Sequence, residues 1–246
     1  MLRLLYLLSL VFMNNANTSR VIGGNYASPG QFPYQVALQL NGRHHCGGAI
    51  ISETAILTAA HCTINQSPQS MMVIAGTTDI QDTDGIRIQP SRFINHPQYS
   101  SQTNDYDISI IQLSQPLPIG NNIKPINMVD VNDNFDADTI GTLSGWGAID
   151  SNLQLPTKLK YAKIQLWSRD YCNPQNIPGI TDRMICAGHP SGQISACQGD
   201  SGGPLTVNEK LAGVVSWGFG CGAAGRPAMY TFVGTFRPWI KQTVGV

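Results

Sequence analysis

Charge is scarce in this 246-residue chain. Lysine and arginine number 15, aspartate and glutamate number 15, and together they are 12% of the residues, about half the roughly 25% usual in soluble domains. Neither sign prevails, so the electrostatic footprint of a general nucleic-acid binder is missing. Long apolar runs are also missing. The longest, from Leu4 to Met13, is broken only by Ser9 and is half the roughly 20 residues that a membrane helix needs. No internal repeat or low-complexity stretch interrupts the chain, and no histidine follows residue 189.

What is present points to a folded, secreted protein. Hydrophobic residues at 42% exclude a disordered chain, and the length suits one large domain or two small ones. Arg3 followed by a short apolar run reads as a secretory signal peptide over residues 1–16, with Ala16 the best small residue for cleavage. An extracellular location makes disulfides permissible, and six cysteines then suggest three bridges.

The pattern of short apolar runs predicts strands. Tyr34–Leu40, Met71–Ala75, Ile108–Leu113 and Leu211–Trp217 have strand length and β-branched content, and Asn41-Gly42 is a hairpin signal. Residues 115–138 are rich in Pro, Asn and Asp and read as a linker or long loop between two halves. Only the end looks helical: Phe236, Trp239, Ile240 and Val244 fall on one face, with Thr235 as cap and Pro238 in the first turn. The expected fold is all-β, in two sub-domains, with a terminal helix.

Chemistry concentrates at Gly199-Asp-Ser201-Gly-Gly-Pro204. Glycines around a serine permit unusual backbone angles, and amides left free there can converge on a developing oxyanion. Residues 199–203 also fit the G-x-S-x-G elbow of α/β-hydrolases, which place their histidine after the nucleophile. All five histidines here, His44, His45, His61, His96 and His189, precede Ser201, so that order is impossible. The subtilisin order, with aspartate before histidine, would need a base at His96 or His189, because the first aspartate is Asp79. The order that remains most naturally is histidine, aspartate, serine. His61, in Leu57-Thr-Ala-Ala-His-Cys62, is the best base. Asp107 opens an apolar strand where an unpaired carboxylate would be costly to bury. Its rival, Asp105, is expected to face solvent.

These residues resemble the chymotrypsin/trypsin family of serine endopeptidases. Leu57-Thr-Ala-Ala-His61-Cys, Asp107-Ile-Ser-Ile-Ile, Gly199-Asp-Ser201-Gly-Gly-Pro and Val215-Ser-Trp-Gly218 look like family motifs in family order, and Val21-Ile-Gly-Gly24 looks like the family's mature N-terminus. The resemblance spans residues 21–246 and implies two six-stranded antiparallel β-barrels, about 21–120 and 121–246, with a C-terminal helix. It implies His61, Asp107 and Ser201 as the catalytic residues, Gly199 and Ser201 as donors of the oxyanion hole, and Ser216, Trp217 and Gly218 along the substrate strand. It pairs Cys46 with Cys62, Cys172 with Cys186 and Cys197 with Cys221.

The same resemblance implies a zymogen. Residues 17–20 would be a short propeptide, cleaved by a trypsin-like protease after Arg20, and the new Val21 amine would pair with Asp200. Protein or peptide substrates, protein inhibitors and a monomeric state follow, with no cofactor, metal, nucleic acid or membrane partner. In family trypsins an aspartate lies six residues before the nucleophile; here that position is Ser195. A neutral floor cannot neutralise a buried Lys or Arg. Gly218 leaves one pocket wall open, while Ala228 replaces the family's usual glycine opposite. The expected preference is for Phe, Tyr, Leu or Met, with Trp disfavoured. Trypsin-like or elastase-like cleavage, and a non-catalytic binding homologue, are the alternatives.

Two weaker features complete the reading. Asn65-Gln-Ser67 is a glycosylation sequon. Asp79, Asp82 and Asp84 are expected to form a solvated acidic loop rather than a calcium site, because Thr77 stands where the family's site has a glutamate.

Overall fold

Asn41 and Gly42 both adopt positive φ, 50° and 78°, which is what a type I′ hairpin turn requires. They join β2 (Gln35–Leu40) to β3 (Arg43–Ser52), as their dipeptide signal predicts. The computed structural model describes residues 24–148, 153–168, 170–172, 177–192 and 194–246. The signal segment, Arg20 and Val21 therefore lie outside the described residues.

The first curled sheet is built from β2, β3, β4 (Ala55–Thr58), β5 (Met71–Ala75), β6 (Ile86–Ile88), β7 (Pro90–Asn95) and β8 (Ser109–Leu113). Its order is β6-β5-β2-β3-β4-β8-β7. The edges β6 and β7 are consecutive in the chain and separated only by Gln89. Pro90 has no N–H to continue a ladder, so the chain bends there and changes partner from β5 to β8. Every residue of β4 is buried, and β8 is buried except at Gln112; such strands read as continuous apolar runs.

The second sheet closes completely. It comprises β9 (Ile140–Gly145), β10 (Lys160–Leu166), β11 (Met184–Gly188), β12 (Pro204–Val207), β13 (Lys210–Gly218) and β14 (Ala228–Phe232). The order β10-β11-β14-β13-β12-β9, with β9 also paired to β10, makes a six-stranded antiparallel barrel. The result matches the trypsin fold, with one difference from two like barrels: the first sheet is curled and continuous through the Gln89 bend instead of ladder-closed. The short strand β1 (Asn25–Tyr26) comes first in the chain yet pairs with β10. The segment nearest Val21 thus lies on the second sheet.

Residues 115–138 form an irregular connection held by isolated bridges. The terminal helix α1 spans Val233–Val244, capped at Gly245 in the left-handed region (φ 81°). Two details correct the helical expectation. Phe232, not Thr235, occupies the N-cap and supplies no side-chain bond. Pro238 sits inside the helix, beyond the first turn, where burial of Phe236 and Ile240 outweighs the lost backbone bond. One contiguous apolar cluster crosses both sheets, running from Val36 and Leu57 to Leu205, Val214 and Ile240. It holds the two halves at a fixed relative position, which the site between them requires. Among the described residues no helix is long and apolar enough to cross a membrane.

Candidate active site

Asp107 is fully buried, and its surroundings show how that is tolerated. The backbone N–H of His61 donates to Oδ1 at 2.9 Å, and His61 Nδ1 donates to Oδ2 at 2.7 Å. From the second sheet, the Ser216 hydroxyl on β13 donates to Oδ2 at 2.6 Å, and the Thr231 hydroxyl on β14 donates to the Asp107 carbonyl at 2.8 Å. A buried charge is stable only when paired and hydrogen-bonded, and here both halves of the molecule contribute the partners. Because the carboxylate only accepts, the proton stays on Nδ1 and leaves Nε2 as the free acceptor of the ring.

His61 itself lies in the single 3-10 turn Ala60–Cys62 that follows β4. The small residues Ala59 and Ala60, both fully buried, let this turn pack tightly. The disulfide from Cys62 to Cys46 on β3 ties it down, with Cα atoms 6.3 Å apart. The ring retains 26% side-chain exposure. Cys46, His61 and Cys62 form the one His/Cys/Asp/Glu group of metal-binding compactness among the described residues. Its sulfurs are joined in the disulfide and offer no thiolate ligand.

The serine loop is positioned by its backbone. Gly202 donates to Val215 O at 2.8 Å, Val215 donates to Gly203 O at 2.9 Å, and Gly47 on β3 donates to Ser201 O at 2.8 Å. The disulfide Cys197–Cys221 closes the loop from the other side, with Cα atoms 4.9 Å apart. Gly199 has φ 93°, which a side chain would strain. The N–H groups of Asp200 and Gly202 are used internally, whereas those of Gly199 and Ser201 meet no acceptor among the described residues. Two free donors flanking a serine are what an oxyanion hole needs. The Ser201 hydroxyl makes no hydrogen bond among the described residues and lines the adjacent cavity.

Asp200 points the opposite way, into the protein. Its carboxylate accepts from Gly147 N at 2.8 Å and Cys197 N at 3.0 Å. The approach is so close that a Cβ on Gly147 would lie 2.3 Å from the carboxyl carbon, so glycine is required there. Burial pushes its pKa up to about 6, and the two backbone donors offset only part of that.

The cavity beside Ser201 measures about 220 Å³ and is lined by Ala196–Gln198, Val215–Gly218, Gly220, Cys221 and Ala228. That is several times the roughly 30 Å³ share of one water, enough for a large side chain. Gly218 and Ala228 are paired across β13 and β14, so the missing side chain of one faces the methyl of the other. Trp217 and Phe219 pack edge to face, with centroids 5.5 Å apart. The exposed Arg226 lies over the Phe219 ring at 5.2 Å. Ser195 is buried but stands outside the cavity lining, and its hydroxyl has no partner among the described residues; the lining begins at the next residue, Ala196.

Two residues differ from the sequence reading. Asp105 does not face solvent: only 14% of its side chain is exposed, and it pairs with Arg183 at 2.6 Å. His44 had no sequence signal beyond being a poor metal ligand. In the fold its Nε2 donates to the Gly199 carbonyl at 2.9 Å across 155 residues, steadying the backbone that carries a free N–H. Burial holds its pKa down, opposed by that bond, and a neutral ring suits the role. Asn65 is exposed, with φ 58°. A larger cavity of about 590 Å³, beside Tyr34, Lys124, Lys163 and Glu209, contains none of the residues above.

The family model for Trypsin matches residues 21–240. The chain belongs to the trypsin family of serine proteases. Among curated relatives of this trypsin-family chain, the rat (Rattus norvegicus) transmembrane protease serine 9 is 37% identical over 235 residues, 92% of this chain but 22% of that protein. The vitellin-degrading protease of the silkworm Bombyx mori is 34% identical over 227 residues, 92% of this chain and 86% of that protein. The chain thus spans about a fifth of the first relative and most of the second. Three disulfides join the cysteines in the family pairs.

Proposed function

We propose that this trypsin-family chain is a secreted serine endopeptidase that hydrolyses peptide bonds through an acyl-enzyme. The carrying observation is a chain of contacts: His61 Nδ1 is held by the buried Asp107, Ser216 bonds the same carboxylate and lines one cavity with Ser201, and the Gly199 and Ser201 N–H groups beside that cavity meet no acceptor among the described residues. In this reading Ser201 Oγ attacks the scissile carbonyl while His61 Nε2 takes its proton. Asp107 steadies the resulting imidazolium, and the Gly199 and Ser201 N–H groups receive the oxyanion. His61 then returns the proton to the leaving amine, and water repeats the sequence to release the acid. Each oxyanion donor contributes roughly 3–4 kcal/mol to lowering the barrier.

The cavity between Gly218 and Ala228 supports a preference for Phe, Tyr, Leu or Met. The activation reading is that cleavage between Arg20 and Val21 frees an amine for Asp200, whose buried carboxylate is otherwise held by backbone donors. A fluorophosphonate probe tests the central claim. The processed protein should be labelled and the Ser201→Ala variant should not; equal labelling of both would refute it.

A further inference from the structure

Asp107 does not stand alone on its loop. Two residues earlier, the Asp105 carboxylate accepts from Arg183 Nε at 2.9 Å, Arg183 Nη2 at 2.6 Å and the Thr181 hydroxyl at 3.0 Å. It also accepts from the backbone N–H of Tyr106 at 2.9 Å. The guanidinium therefore grips the carboxylate with two parallel bonds, a geometry that a point charge reproduces only in part. Burial raises the Asp105 pKa, but the Arg183 and Thr181 bonds and the Tyr106 N–H more than offset it, so it lies below the usual range.

Between the two aspartates stands Tyr106, with φ 56°, an uncommon conformation for a bulky residue. Its ring lies under the Arg183 guanidinium at 4.5 Å and stacks on His96 at 4.8 Å. His96 in turn packs on Phe236 and Trp239 of α1. Arg183 is anchored as well: its carbonyl accepts from Phe232 N at 2.8 Å, at the end of β14. A backbone turn in the left-handed region persists only when its surroundings over-determine it. Here the over-determination comes from the second sheet and its helix, clamping a loop of the first.

We propose that Arg183, acting through Asp105 and the Tyr106 ring, is a positioning residue that holds the 105–107 turn so that the Asp107 carboxylate meets His61. The inference rests on the reading of His61, Asp107 and Ser201 as the catalytic residues. Arg183 touches none of the reacting atoms. Its effect is to keep Asp107 aligned with the His61 ring, so its loss weakens proton transfer without altering the cavity lined by Ala228 and Gly218.

The test compares Arg183→Met, Arg183→Lys and Asp105→Asn with the unmodified processed enzyme. Arg183→Met keeps the apolar stem over Tyr106 and removes the fork. It should lower kcat about tenfold with KM within about twofold, since only a transition-state interaction is removed. Asp105→Asn should match it, and Arg183→Lys should recover part of the loss. The downfield proton resonance of His61 Nδ1 should weaken or move in Arg183→Met and be nearer normal in Arg183→Lys. Unchanged kcat and resonance would overturn the proposal, as would a lowered melting temperature with both of these intact. Should Arg183→Met fail to fold, Asp105→Asn and Arg183→Lys decide the matter by the same readouts. A failure of the underlying reading looks different: Ser201→Ala would retain activity whatever residue 183 is.

Discussion

The Ser216 hydroxyl and the His61 ring meet on one atom, Oδ2 of Asp107, at 2.6 and 2.7 Å. One donor comes from β13 of the closed barrel, the other from the turn after β4 of the curled sheet. The buried carboxylate is therefore one of the points at which the two halves are joined, and part of its hydrogen bonding is made only when they are correctly docked.

Replacing Ser216 by alanine should accordingly affect both stability and rate. Removing a hydrogen bond to a buried charged group costs roughly 1.5–3 kcal/mol, so the denaturation midpoint should fall by that equivalent. kcat should fall as well, because Asp107 would hold His61 less firmly. A variant with unchanged stability would show that the buried Asp107 carboxylate does not depend on the Ser216 hydroxyl.

The register pair Gly218 and Ala228 makes a graded prediction about specificity. A Cβ on Gly218 would meet Ala228 Cα at 3.5 Å and Cβ at 3.7 Å, ordinary contacts, so Gly218→Ala should fold normally. Adding that methyl should lower kcat/KM for Phe and Tyr substrates relative to Leu by about tenfold or more. Removing the facing one, in Ala228→Gly, should raise cleavage after Trp. Hydrolysis of a series of p-nitroanilide peptides reads both; faster cleavage after Arg than after Phe in the unmodified enzyme would contradict the proposed preference.

Asp200 makes the uncleaved chain sensitive to pH. Its folded pKa of about 6 lies above the reference value of 3.8. Between these values the folded chain keeps a proton that the unfolded chain has released. This contribution is therefore complete below about pH 4 and is lost as pH rises through 6. Against Asp200→Asn, the uncleaved wild type should lose up to about 3 kcal/mol between pH 4 and pH 7. Urea unfolding at several pH values measures the difference, and a pH-independent gap would rule the account out. After cleavage at Arg20 an amine partner should reverse the trend, and Arg20→Gln should keep the protein folded but inactive.

The bridge between Cys46 and Cys62 closes a separation of 16 residues. Replacing both cysteines by alanine should cost about 3 kcal/mol and lower kcat, because the turn carrying His61 loses its tether to β3. A calorimetric melt and a rate assay on the same sample separate the two effects.

Much of the strand pattern was legible locally. Met71–Ala75 is a strand from end to end, and Asn41-Gly42 turns as its backbone preferences demand. The terminal helix was legible in type but not in its start. Thr235 looks like a cap, yet packing carries the helix back to Val233. Asp105 is not legible locally for a related reason: its partner Arg183 lies 78 residues away.

From the sequence alone came the residue types: a histidine after small residues, an aspartate opening an apolar strand, a serine among glycines, and six cysteines. Local backbone preference and chain order suffice for those, because they act over a few residues. Only the tertiary structure decided which groups meet. It set His44 under Gly199, Ser216 on Asp107, Gly218 against Ala228, and Arg183 around Asp105. The Gly218–Ala228 contact comes from strand pairing within the closed barrel, the other three from the docking of two sheets on one apolar core, and short-range propensity contains no record of either.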